Sequence, residues 1–229
     1  MNTTASTKPF LFRWLDLLIA SVIDAAVALV EPFKDFKLFE TSSPFFSLLF
    51  LVSVETLGAA LSLPALNSLY THMRGTGSNA KAFHFLVYVM AFGRPILAFA
   101  LVPITAWFAM VIAATLGQFI DYSIAFKMAV ASQAPTALSG LIAGFVLNFR
   151  GASVLKPSDL FVPTGLDAII PMHASPLLLA AASLFSVYLI WSIAIFVTVG
   201  KRSGIQTSTA LLMSAPLWAP QVLFFLTRP

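Results

Sequence analysis

The sequence predicts an all-α integral membrane protein: a polytopic bundle of five or six transmembrane helices, preceded by an amphipathic helix lying in the membrane interface. Three observations predict it. Of 229 residues, 59% are hydrophobic and 10% charged, whereas a soluble domain carries about 25% charged residues to face water. Mean hydropathy is +0.92. Uncharged apolar runs recur along the chain, each long enough at about 1.5 Å per residue to cross a hydrocarbon core of about 30 Å. A soluble enzyme, a nucleic-acid-binding domain and a disordered tail are all excluded. The 13 basic residues are scattered across loops, where they set topology and touch anionic headgroups instead of forming a nucleic-acid patch.

The chain divides into an N-terminal helix and link, 1–43, and a helical bundle, 44–229. The first residues, MNTTASTKPF, are polar and lead to no small-residue cleavage site, so no cleaved signal peptide is expected. Residues 10–31 form a long apolar helix whose Arg13, Asp16, Asp24 and Glu31 fall within an arc of roughly 80° at 100° per residue. One narrow charged stripe fits a helix lying in the interface. The alternative, a spanning helix packed against partners, must hide two aspartates. Pro32 stops this helix, and Lys34, Asp35, Lys37 and Glu40 mark a hydrated link.

Residues 44–68 make the first span, with Glu55 inside it, and a polar loop follows at 71–81. Residues 82–120 carry Arg94 as their only formal charge. As one helix they would run about 58 Å, nearly twice the core thickness. A break near Gly93-Arg94-Pro95, or a hairpin near Pro103, is therefore expected in preference to one straight rod. Spans at 126–148, 174–199 and 207–227 complete the bundle, with an irregular proline-rich loop at 150–173. In either count, seven Lys/Arg lie on the N-terminal side and five on the other, which favours a cytoplasmic N-terminus in a plasma or inner membrane.

Ser132, Thr136, Gly140, Gly144 and Asn148 recur every four residues on the 126–148 span. Helices in lipid associate through close backbone approach and side-chain hydrogen bonds, so this strip predicts a helix–helix contact. Glu55 and Arg94 are the two charges placed at depth. They are either a proton or ion relay in a polar cavity, or a structural pair that snorkels to the interface. His72, His84 and His173 lack the spacing of a helical metal pair, and there is no cysteine, so no metal or cofactor is expected. No phosphate-binding loop, nucleophile elbow or dinucleotide fingerprint is present.

Three stretches resemble the Yip1-domain family of polytopic membrane proteins. They are Glu31-Pro32-Phe33-Lys34-Asp35-Phe36 with Ser43-Pro44; Phe126 through Pro135; and Leu184-Phe185-Ser186, Ile190-Trp191-Ser192, Gly200 and Thr209-Ala210-Leu211. The family's glycine loop has two counterparts, at 75–78 or at Gly117. The resemblance implies a compact bundle of about five helices and a non-enzymatic role with no catalytic residues. Three functions follow as expectations: organising membrane lipids or protein partners, serving as an accessory subunit or self-associating unit of a larger membrane complex, or transporting through a polar cavity near Glu55 and Arg94.

Overall fold

The computed structural model describes residues 43–75, 80–155 and 186–219, together with 16, 19, 20, 23 and 162; side chains at 74, 75, 80–84, 86, 87, 90, 94 and 152 lie outside the description. All secondary structure among these residues is helical. The helices are α1 (Pro44–Gly75), α2 (Ala80–Thr115), α3 (Tyr122–Ser132), α4 (Ala134–Arg150), a 3-10 turn (Gly151–Ser153), α5 (Val187–Arg202) and α6 (Thr207–Met213). A further helical turn follows at 215–219. Three stretches are long and apolar enough to cross a membrane: Pro44–Met73, Ala91–Thr115 and Tyr122–Arg150. The chain is a helical membrane protein.

Five or six spans are expected from the sequence, and three candidate spans lie among the described residues. Most of the loop at 150–173, the first part of the expected span at 174–199 and the end of the last span lie outside the described residues. The 82–120 stretch gives a correction. Residues 82–115 belong to one continuous 36-residue helix, Ala80–Thr115, that runs through Pro95 and Pro103 and is about 54 Å long. A hairpin in lipid would leave a loop of backbone groups without partners. A continuous helix forgoes only the bonds that the two prolines cannot donate.

The interfacial helix is likewise outside what is described. Arg13, Asp24 and Glu31 lie outside the described residues, while Asp16, Ile19, Ala20 and Ile23 are helical, with Asp16 and both isoleucines exposed.

Small residues line the inside of the bundle. On α2, Val102, Ala106, Ala109 and Ala113 are fully buried at spacings of four, three and four, while Ile96, Leu97, Ile104, Trp107, Phe108 and Val111 face outward. The core continues through Ala125, Met128 and Ala129 of α3 to Ile195 and Phe196 of α5 and Ala210 and Met213 of α6. Alanine at a contact lets backbones approach closely, and bulky side chains facing lipid cost nothing, because lipid is as apolar as they are. Hydroxyls on the outer faces return to their own helix: Ser53 Oγ donates to the Leu49 carbonyl at 2.8 Å and Thr56 Oγ1 to that of Val52 at 2.7 Å.

Two elbows at one end of the bundle have the same construction. After α2, Gly117 takes φ 77° and the Gln118 N–H reaches the Ala113 carbonyl at 2.9 Å. After α5, Gly204 takes φ 82° and the Ile205 N–H reaches the Gly200 carbonyl at 3.0 Å. Each is a six-to-one helix cap that needs a left-handed residue, where glycine meets no Cβ penalty. The elbows are neighbours, since Gln118, Asp121, Gly204 and Ile205 line a common hollow. From them α3 and α6 set out from the same end of the bundle.

Candidate functional site

The most extensive helix pair is α1 with α4, and it is built on glycine. A Cβ placed on Gly58 would lie 2.5 Å from the Gly140 carbonyl oxygen, and one placed on Gly144 would overlap the Gly58 backbone. The two helices therefore touch main chain to main chain. One turn before Gly58, Glu55 is 4% exposed. It lines a cavity of about 140 Å³ whose walls include Gly58, Ser62, Pro95, Gly140 and Gly144. Glu55 lies eleven residues into α1, about 17 Å from its start. The Arg94 backbone belongs to α2 and its side chain lies outside the description.

A second, larger cavity of about 320 Å³ sits where two helices are interrupted. The span Tyr122–Arg150 breaks at Gln133, which joins α3 to α4. Pro135 follows two residues later and carries no N–H for the carbonyl of Ala131. α6 breaks in the same manner at Ser214, and Pro216 follows two residues later. The Gln133 N–H reaches back three residues to the Val130 carbonyl at 3.0 Å, whereas the Ser214 N–H is shared between the carbonyls of Leu211 and Ala210, both at 3.2 Å. Both residues keep right-handed helical dihedrals, φ −79° and ψ −17° at Gln133 and φ −76° and ψ −4° at Ser214, so each interruption lies in the hydrogen-bond ladder beside a proline.

Hydroxyl and amide groups line the space around these breaks. α2 contributes Thr105, the first break Ser132 and Gln133, and α4 Thr136 and Ser139. Ser186, Tyr188 and Ser192 come from the start of α5, while Pro216 and Leu217 come from the second break. Ser132 Oγ donates to the Ala129 carbonyl at 2.8 Å. Ser192 is 3% exposed, and its Oγ has no hydrogen-bond partner among the described residues. The N-terminus of α5 also opens here, with Ser186 in extended conformation and making no side-chain cap.

The strip of small and polar residues is thus divided among three surroundings. Gly140 and Gly144 meet Gly58; Ser132 and Thr136 line the larger cavity; Asn148 is exposed. The interruption at Gln133 falls between Ser132, the last residue of α3, and the four other strip residues on α4. Of the histidines, His72 is exposed on α1, and among the described residues no group of three or more His, Asp or Glu is placed to hold a metal ion.

Thr105 and Ser139 are not singled out by sequence patterns, and Gln133, Ser186 and Ser192 enter only within the stretches that carry the family resemblance. A signal for them does exist: an Ala-Pro pair interrupts two apolar runs, at Ala134-Pro135 and Ala215-Pro216. Paired interruptions of this kind in corresponding segments mark polar cavities in membrane proteins. Compared with family models, with curated proteins and with solved structures, the chain matches none.

Proposed function

We propose that the chain is a non-enzymatic, multi-pass membrane protein, Yip1-like in kind, that organises membrane lipids or protein partners through its helix faces. The observation that carries this is the inversion of α2, with alanine inward and Ile, Leu, Phe and Trp outward. Its outer surface offers contact only to acyl chains or to other membrane helices. An apolar groove of about 350 Å³ between α1 and α2, walled by Val52, Phe92, Ile96 and Phe99, is shaped for the same company. The charge bias of the sequence supports an N-terminus on the cytoplasmic side of a plasma or inner membrane.

Mild-detergent purification followed by native mass spectrometry tests the proposal. The expected species retains lipids, or a second chain at fixed stoichiometry. A folded, lipid-free monomer would remove the organising role.

A further inference from the structure

We infer that the cavity between the two helix breaks is a binding site for an uncharged polyhydroxyl group, supplied either by a free polyol or by the headgroup of a sugar-bearing lipid. This goes beyond the organising role proposed above and rests only on the membrane placement of the bundle.

The chemistry of the walls selects the ligand. Among the described residues, no charged side chain lines the cavity. A divalent cation needs carboxylate oxygens. A phosphate drawn into this space without Arg or Lys would lose hydration with no counter-charge to offset the loss. Hydroxyls both donate and accept, and the Gln133 amide adds two donors and an acceptor, so the lining complements groups that do the same. Pro216, Leu217 and Leu189 supply an apolar wall for the C–H face of such a molecule. The volume, about 320 Å³, would hold roughly ten waters at about 30 Å³ each, which is room for a glycerol or a hexose.

Two further observations point to an occupant. The Ser192 hydroxyl is almost fully buried and lacks a protein partner among the described residues, whereas Ser53, Thr56 and Ser132 each donate to a carbonyl of their own helix. A buried hydroxyl left without a partner costs about 1–3 kcal/mol, a cost that a ligand oxygen would cancel. Moreover, both helix breaks face the same space. The segments α2–Gly117–α3–Gln133–Ala134–Pro135 and α5–Gly204–α6–Ser214–Ala215–Pro216 repeat one plan in the same direction. Parallel repeats with interrupted helices place their ligand site where the interruptions meet.

The test uses the full chain in mild detergent, with radiolabelled glycerol and glucose in equilibrium dialysis and monoglucosyl diacylglycerol in native mass spectrometry. Saturable binding of the free polyols assigns the site to a soluble solute; binding of the glucosyl lipid alone assigns it to a headgroup; either supports the inference. Ser192→Ala is expected to weaken binding about 2- to 10-fold, the worth of one hydrogen bond. Ser139→Leu, which fills the cavity, is expected to abolish it, and Ser53→Ala on the outer face of α1 to leave it unchanged. Wild-type protein that binds none of the three probes would overturn the inference. So would binding indifferent to both cavity variants, or tighter binding of phosphatidic acid that Ser192→Ala weakens.

Discussion

Replacing Gly58 by alanine probes the contact on which the α1–α4 pair is built. The added Cβ would sit 2.5 Å from the Gly140 carbonyl oxygen, against 3.4–4 Å for an ordinary contact. The obstacle is backbone, which no rotamer change can move aside, so the helices must separate by about 1 Å at the crossing. A gap of this size forfeits a quarter to a half of the dispersion well for the atoms involved, and dispersion is what joins helices in lipid. Overpacking costs typically 1–3 kcal/mol, and about 2 kcal/mol is expected here. Gly144→Ala meets the Gly58 backbone in return and should cost a similar amount. Because one separation relieves both clashes, the double variant should lose less than the sum of the two. Gly93→Ala is the control, since a Cβ there meets nothing within 4 Å; it should be neutral or slightly stabilising. The assay is reversible unfolding in mixed dodecyl maltoside and sodium dodecyl sulfate micelles, followed by circular dichroism. Losses below about 0.5 kcal/mol for both Gly58→Ala and Gly144→Ala would refute the main-chain crossing, as would strict additivity of the pair.

Gly200→Ala should cost less than Gly58→Ala in the same titration, because its Cβ would meet the Met128 Cε at 2.6 Å, the movable end of a flexible side chain. Gly204→Val, at φ 82° and with open space around it, should lose about 1–2 kcal/mol through backbone strain alone, and Gly204→Asn clearly less; equal losses would remove the strain explanation. Glu55→Lys puts a longer side chain into a cavity of about 140 Å³ between backbones and should cost at least about 2 kcal/mol, read as loss of monodisperse protein on size exclusion. In this cysteine-free chain, His72→Cys and Phe119→Cys should react with an impermeant maleimide from opposite sides of the membrane. Labelling from the same side would contradict a single crossing by α2.

Composition alone assigns the helical and membrane character, because too few charges exist to coat a globule of this size. Helix continuity was harder to read. Proline at 95 and 103 suggests a break in α2, yet the breaks occur beside Pro135 and Pro216. The proline alone does not decide. α3 and α6 each begin at a glycine elbow that fixes where the helix starts, and the breaks have a hydroxyl-lined space to face. Neither condition is local in sequence. The regular four-residue spacing from Ser132 to Asn148 suggests one face of one helix, but Ser132 closes α3 and the other four belong to α4, beyond Gln133. Gly58, the partner that gives Gly140 and Gly144 their meaning, lies some 80 residues away in sequence, and no periodicity within either helix reports it.

The interruption at Gln133 has a mechanical consequence. α4 is fastened to α1 through the glycine crossing, and α3 is fastened to α5 where Met128 meets Gly200. One passage through the membrane thus divides at Gln133 into two bodies that share contacts, since α4 also packs against α5 and α3 against α1. Any rocking of one body against the other would concentrate its dihedral change at Gln133, which also forms part of the wall of the larger cavity. A change in the tilt of α3 against α4 would therefore change the shape of that cavity.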